Sequence, residues 1–89
     1  MSKDFAEKII DGKTYHIVQD VRSYASIFPL MFGLDFAATH DVEAIISEME
    51  SWDELDRAAF VTDEMGRSDL DAGKAFEDRL AALVDRHEC

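Results

Sequence analysis

The pair Asp11-Gly12 lies between two runs of apolar and β-prone residues, at positions 5–10 and 14–18. A type I′ turn needs a positive φ at both of its central positions, and an Asp-Gly pair satisfies this need well. The pattern therefore predicts an N-terminal β-hairpin within residues 1–19. This hairpin is the strongest local constraint on how the chain can fold.

Two features of the first segment leave its details open. Ile9 and Ile10 point to opposite faces of a strand, so the alternation does not fix the register. Ser2 is also a suitable N-cap, and a short initial helix over residues 3–8 is the competing interpretation.

The next segment, residues 20–38, predicts a short helix followed by an apolar connector. Asp20 is a suitable N-cap for a helix that starts at Val21. Pro29 should end that helix near Phe28, because the residue before a proline avoids helical backbone angles.

The connector is dense in large apolar residues, and we expect most of them in the core, since exposed patches of this kind are rare on monomers. A third strand around residues 34–37 is compatible with this expectation. The alternative is that residues 27–36 form the contact surface of a homodimer or of another partner. The apolar residues concerned are Leu30, Met31, Phe32, Leu34 and Phe36.

Helical periodicity begins after Thr39. One apolar stripe follows the spacing i, i+3, i+4, i+7 and i+10, which is typical of an amphipathic helix. Its members are Val42, Ile45, Ile46, Met49 and Trp52.

The sequence from Ser51 to Glu54 matches a capping box, so we expect a break there and a second helix that runs through Phe60 and ends at Gly66. Ser68 is the expected N-cap of a last helix over residues 69–86. The apolar residues that this last helix should bury are Leu70, Phe76, Leu80, Leu83 and Val84.

Together these elements predict an α+β fold, in which the hairpin, with or without a third strand, packs against three to four helices. A chain of 89 residues supports one compact core. We expect a single domain made of the hairpin (1–19), the short helix and connector (20–38), and an acidic helical portion (39–89).

Charge is distributed unevenly along the chain. The sequence has 20 Asp and Glu against 9 Lys and Arg, which gives a net charge of −11. Residues 1–34 hold equal numbers of acids and bases, so residues 35–89 carry the whole excess. Self-repulsion of this size opposes compaction, and it indicates either a role in solubility or a positively charged partner. It also argues against direct binding to nucleic-acid phosphates.

Catalytic and metal-binding patterns are missing from the sequence. There is no glycine-rich phosphate loop, no Gly-x-Ser-x-Gly motif and no Cys-x-x-Cys pair, so we expect neither an enzyme nor a cofactor. A calcium loop starting at Asp69 fails, because its sixth position is Lys74 and its twelfth is Leu80. The softer metal ligands lack the spacing of a zinc site. They are His16, His40, His87 and Cys89.

Membrane insertion and secretion are not expected either. The densest apolar stretch, residues 27–36, is interrupted by Pro29, Gly33 and Asp35, and a bilayer span needs about 20 apolar residues. The N-terminus alternates charged and apolar residues, unlike a secretory signal. We therefore expect a cytoplasmic protein.

The acidic helical portion supplies the candidate binding residues. Asp71, Asp78 and Asp85 are seven residues apart and should line one outer face of the last helix, with about 10 Å between neighbours. Acids from the preceding helices would have to lie beside them to form a surface comparable with a phosphate row. The full candidate set is Glu43, Glu50, Asp53, Glu54, Asp56, Asp71, Asp78 and Asp85.

A short, acidic α+β chain without a catalytic motif resembles the small phage-encoded inhibitors of CRISPR-Cas and restriction systems, which include DNA mimics. The resemblance covers size and charge and no motif, so it assigns no role to any residue. It implies stoichiometric binding to a subunit of a defence or nucleic-acid-processing complex in the host cytoplasm. The basic surface with which that subunit binds DNA or RNA would then be occupied.

Two other functional classes stay open. A homodimeric adaptor or regulatory module would use residues 27–36, or the apolar stripe of the Val42 helix, as its interface. A helix-turn-helix reader of nucleic acid could be built around residues 50–52. This second class is weaker, because Arg57 is the only base in the segment 41–64, and a recognition helix needs cations on its phosphate-facing side.

Overall fold

The computed structural model describes residues 5–89 and places a three-stranded antiparallel sheet beside a group of helices. The strands β1, β2 and β3 pair in chain order, and the α+β fold class predicted from the sequence is confirmed. The strands are β1 (Phe5–Ile10), β2 (Lys13–Val18) and β3 (Ala58–Thr62). The helices of the described residues are α1 (Val21–Ala25), α2 (Phe28–Phe32), α3 (Phe36–Thr39), α4 (Val42–Glu50), α5 (Leu70–Arg86) and a 3-10 helix at Glu54–Arg57.

The N-terminal hairpin forms as predicted around Asp11 and Gly12. Their φ angles of 51° and 80° are the two positive values that a type I′ turn requires. The register pairs Glu7 with His16, which the sequence pattern left open. The competing helix over residues 3–8 is wrong from Phe5 onward, because β1 begins there; its proposed cap, Ser2, lies outside the described residues.

The third strand is β3, and it occupies a segment for which the sequence predicted a helix. Tyr15 of β2 pairs with Val61 of β3, and pairing with the hairpin satisfies the backbone of this segment in place of helical hydrogen bonds. The run Phe60-Val61-Thr62 is β-prone, which favours the strand. The expected second helix is reduced to the 3-10 turn, and Ser51 ends α4 by donating from its hydroxyl to the Glu48 carbonyl across 2.6 Å.

Residues 20–39 fold into three short helices, so the prediction of a strand at 34–37 is wrong. Asp20 caps α1 as expected by accepting a hydrogen bond from the Ser23 N–H at 3.0 Å. α1 stops at Ala25, and Pro29 lies in the first turn of α2, where its missing N–H costs no helical hydrogen bond.

Burial in the connector also differs from the prediction. Phe36 is buried, but Leu30 and Leu34 are 79% and 86% exposed, and Met31 and Phe32 are exposed as well. The reason is geometric: α2 and α3 are single turns, and each has only one face toward the core. Phe28 and Phe36 occupy those faces, which leaves the other apolar side chains of α2 in solvent.

The main core cluster joins the helices to the end of β2, and a smaller cluster lies on the sheet around Ile17, Ala58 and Val61. The amphipathic stripe of α4 is confirmed, with three of its members fully buried and Val42 and Trp52 partly buried. The buried residues of the main cluster are Val18, Val21, Ala25, Phe28, Phe36, Ile45, Ile46, Met49, Phe76, Leu80, Leu83 and Val84.

The entry to α5 uses different capping residues from those expected. Asp69, and not Ser68, is the N-cap, with its carboxylate accepting from the Ala72 N–H at 3.2 Å. Gly66 (φ 81°) belongs to the turn after β3, where the Asp63 carboxylate accepts from two backbone N–H groups. Leu70 stands at the first turn and is exposed, although burial was predicted. None of the helices within residues 5–89 combines the length and apolar character needed to cross a bilayer.

Candidate protein-interaction surfaces

The basic side chains of the described residues are all engaged within the chain itself. Seven of the eight Lys and Arg side chains in residues 5–89 pair with carboxylates, at distances that reach 3.4 Å. These pairs are Lys8–Glu54, Lys13–Asp69, Arg22–Glu43, Arg67–Asp63, Lys74–Asp78, Arg79–Asp56 and Arg86–Glu48.

Arg57 is the eighth cation, and it is bound by backbone carbonyls. Its Nε donates to the Val18 carbonyl at 2.9 Å, and its Nη1 donates to the Trp52 carbonyl at 2.6 Å. Within residues 5–89, therefore, no Lys or Arg side chain is left without an intramolecular partner. Five of the seven ion pairs join different elements, whereas Arg67–Asp63 and Lys74–Asp78 are local i, i+4 pairs.

Two of these ion pairs shift the pKa values of their members. Arg22 donates two hydrogen bonds to Glu43, at 2.8 and 2.9 Å, and these lower the pKa of Glu43 and raise the pKa of Arg22. The Lys13 ammonium lies 2.8 Å from the Asp69 carboxylate. Hydrogen bonds from Lys13 and from the Ala72 N–H both lower the pKa of Asp69. Both pairs join elements that are distant in sequence: α1 to α4, and the hairpin to α5.

The eight predicted binding residues divide into two groups of four. The first group is occupied by the chain's own cations, and it consists of Glu43, Glu54, Asp56 and Asp78. The second group is exposed and makes no side-chain hydrogen bond or ion pair with any residue in 5–89. It consists of Glu50, Asp53, Asp71 and Asp85.

Arg79 of α5 links one of the candidate carboxylates, Asp56, to the last helix. Its guanidinium pairs with Asp56, donates to the Asp56 carbonyl at 3.0 Å and lies 5.8 Å from the Trp52 ring centre. The 3-10 helix is thereby held against the helix that carries Asp71 and Asp85. Glu43, in contrast, faces α1 through Arg22.

The predicted row along α5 is interrupted at its centre. Asp71 and Asp85 are free of ion pairs within residues 5–89, but Asp78 binds Lys74 one turn earlier, with Nζ–Oδ distances of 2.9 and 3.1 Å. Sequence spacing placed the three residues on one face, and it did not account for this i, i+4 pair.

A second surface is apolar, and the sequence interpretation assigned most of it to the core. It extends over α2 and the following turn, and its exposed members are Ile27, Leu30, Met31, Phe32 and Leu34. Residues 23–34 contain no charged side chain. Five of the ten exposed large apolar side chains in residues 5–89 thus lie within one uncharged segment.

Beside this surface, α2 and α5 enclose a shallow depression of about 300 Å³, lined by Met31, Phe32, Glu77, Leu80 and Ala81. Glu77 was absent from the predicted set, because it lies outside the seven-residue spacing and nothing in the sequence places α2 beside it. No group of three or more metal-ligating side chains converges anywhere in residues 5–89.

Comparisons with protein-family models, with curated proteins and with solved structures found no match to this chain.

Proposed function

We propose that this chain is a non-enzymatic binding protein that occupies a positively charged, nucleic-acid-binding surface of another protein. The proposal rests on one observation: carboxylates without an internal cation partner greatly outnumber Lys and Arg side chains without an internal partner. Of the 19 acids in residues 5–89, seven pair with Lys or Arg, which leaves 12 carboxylates without such a partner and no unengaged cation in the same residues. A cationic surface would meet attraction and little competing repulsion.

The total charge is suited to long-range attraction. The described chain measures 41 × 23 × 22 Å, so a net charge of −11 amounts to about one charge per 3.7 Å of its longest dimension. Duplex DNA carries one charge per about 1.7 Å. The likeness to DNA therefore lies in the sign and overall size of the charge and not in phosphate-by-phosphate spacing. Such a field accelerates association with a basic cleft.

The contacts themselves are assigned to Glu50, Asp53, Asp71 and Asp85. These carboxylates are exposed and have no cation to release before they bind Lys or Arg of a partner. The four paired candidates would first have to give up an internal ion pair. On this proposal, the chain resembles the stoichiometric inhibitors of defence complexes in mechanism as well as in size and charge.

The proposal is tested by affinity capture from a lysate at about 50 mM and about 500 mM salt, because exposed ion pairs are strongly screened at the higher concentration. We expect the captured proteins to be nucleic-acid-binding proteins with basic clefts, to be released by salt, and to be displaced by added duplex DNA. Capture that is indifferent both to salt and to DNA would contradict the proposal.

A second candidate function is a homodimeric adaptor or regulatory module. It is favoured by one specific observation: the exposed apolar residues of α2 and Leu34 lie in a segment without charge, where two acidic chains would approach with least repulsion. Sedimentation equilibrium tests this candidate directly. A concentration-dependent dimer that is lost in Leu34→Glu would support it, and a monomer in the upper micromolar range would contradict it.

A further inference from the structure

We infer that the side of α5 next to α2 is a groove that binds an amphipathic, cationic segment of a partner protein. The apolar side chains of that segment would cover Met31 and Phe32, and one of its Lys or Arg residues would pair with Glu77. This inference deepens the proposed function in one respect, since it rests on a cationic partner. It adds a second, apolar component of recognition that the acidic surface alone does not supply.

The groove consists of two depressions that share Glu77. One is the depression of about 300 Å³ between α2 and α5, which includes Met31 and Phe32. The other, of about 390 Å³, lies beside the first turns of α5 and includes Phe60 and Leu70. Glu77 lines both depressions, and their α5 residues (70, 73, 74, 77, 80 and 81) share one face of the helix, so together they mark a path along it. From Leu70 to Ala81 this path covers about 16 Å, or about three turns of a docked helix.

The apolar lining is held in place by the core beneath it. The Phe32 ring packs against Phe28 and stacks on Phe36 with ring centres 5.7 and 5.2 Å apart, and both of those residues are buried. Phe32 itself remains exposed. An exposed aromatic ring supported by buried rings loses little side-chain freedom when a partner covers it, which favours binding.

The electrostatics of the groove select a cationic occupant. Three charged residues line the two depressions, namely Asp69, Lys74 and Glu77. Two of them are already paired: Asp69 with Lys13, and Lys74 with Asp78. Glu77 makes no ion pair within residues 5–89. Burial raises the pKa of Tyr24, and the charge of Glu77 adds to this effect.

A second copy of this chain is a poor occupant of the groove itself, although the uncharged face of α2 beside it is where two copies would meet with least repulsion. Each copy carries a net charge of −11, and seating one groove on another would bring Glu77 toward a second anionic helix. A helix with apolar residues at i, i+3 and i+4 and a Lys or Arg beside them matches both the apolar lining and the single free carboxylate.

The probe for the test is a synthetic helical peptide of about 14 leucine and lysine residues in amphipathic order, long enough to cover the groove. Its control is an oligolysine peptide of the same charge. Binding to the full chain is followed by fluorescence anisotropy and by backbone amide shifts in NMR. We expect the amphipathic peptide to shift the signals of residues 31, 32, 77 and 81, and oligolysine to shift signals elsewhere on the acidic surface.

Two substitutions in the groove have matched controls outside it. Met31 and Leu55 are 46% and 45% exposed, so Met31→Ser and Leu55→Ser remove similar apolar surface, and only Met31 lines the groove. Glu77→Gln and Glu64→Gln each remove one exposed carboxylate, and only Glu77 lines the groove. Met31→Ser and Glu77→Gln should each weaken binding of the amphipathic peptide by about tenfold, whereas the two control variants should bind it like the unmodified chain.

The outcomes separate this inference from the proposed function. Equal weakening by the groove and control variants, or amide shifts outside the groove, would overturn the inference that the groove is a binding site. Binding of oligolysine would in that case still support the proposal of an acidic binding protein. If neither peptide binds, both proposals fail. A dimer of the chain alone that disappears in Met31→Ser would assign the groove to a second copy and overturn the inference.

Discussion

The Nε of Arg57 donates a hydrogen bond to the carbonyl of Val18 at 2.9 Å, which ties the 3-10 helix to the end of the central strand. The same guanidinium donates to Trp52, so one side chain satisfies two carbonyls where the chain turns from α4 into β3. Arg57 is also the one Lys or Arg in residues 5–89 that binds no carboxylate. Its charge is thus used in the fold and is not offered to a partner.

Replacing Arg57 with Met should lower the free energy of unfolding by about 2 kcal/mol, because two charge-assisted hydrogen bonds are lost and partly buried carbonyls are left without donors. Urea unfolding followed by circular dichroism measures this change. Arg67→Met is the control, since Arg67 is exposed and pairs only with Asp63 four residues away; it should have a much smaller effect. Equal effects of the two substitutions would contradict the role assigned to Arg57.

The connector offers a comparison between two apolar residues that are two positions apart. Phe36 is buried against Phe28 and Phe32, whereas Leu34 is 86% exposed. Phe36→Ala should reduce the free energy of unfolding by about 3–5 kcal/mol, and Leu34→Ala should change it by less than about 0.5 kcal/mol. A large loss from Leu34→Ala would show that the chain buries this residue, as the sequence alone suggested.

The link between the hairpin and α5 should weaken in acid. Hydrogen bonds from Lys13 and from the Ala72 N–H hold the pKa of Asp69 below its ordinary value. The folded state therefore binds the proton less readily than the unfolded chain. This contribution is complete above about pH 4, and it is lost as the pH falls through the lower pKa of the folded state.

Asp69→Asn isolates this effect, since asparagine also caps helices well. The difference in melting temperature between the unmodified chain and the variant should be largest near neutral pH and should shrink below about pH 4. The change in net charge with pH is nearly common to both proteins, so it cancels in the difference. A difference that stays constant down to about pH 3 would show that the Asp69 charge makes no contribution.

The features that the sequence predicted well are those set by neighbouring residues. The turn at Asp11-Gly12, the cap at Asp20 and the apolar stripe of α4 depend on spacings of a few positions, and the structure contains all three. The segment Ala58–Thr62 was assigned wrongly because its choice of strand depends on pairing with β2, more than 40 positions earlier. The run Phe60-Val61-Thr62 is β-prone, but local propensity alone does not reveal its pairing partner.

The candidate surfaces were predictable only in part for a similar reason. Composition and spacing identified the excess of acids, but the ion pairs that occupy Glu43 and Glu54 come from Arg22 and Lys8, which are distant in sequence. The groove at Glu77 requires α2 to lie beside α5, and the position of α2 depends on Pro29 in its first turn. No periodicity within α5 indicates that neighbour.

The location of the binding carboxylates can be tested with two sets of four substitutions. The first set converts Glu50, Asp53, Asp71 and Asp85 to their amides. The second set does the same at four other exposed acids that make no ion pair within residues 5–89, namely Glu7, Asp11, Asp35 and Glu64. Each set removes four negative charges, so both should slow electrostatically steered association to a similar extent. Only the first set also removes the four carboxylates that are proposed to contact the partner.

The most direct measurement is the dissociation constant of both sets for the basic protein identified by capture, determined by isothermal titration calorimetry at fixed salt. We expect the Glu50 set to weaken binding by about 100-fold or more, chiefly through faster dissociation, and the Glu7 set to weaken it by about tenfold or less. Equal losses from the two sets, or a greater loss from the Glu7 set, would contradict the claim that the free carboxylates of the helical portion form the binding surface.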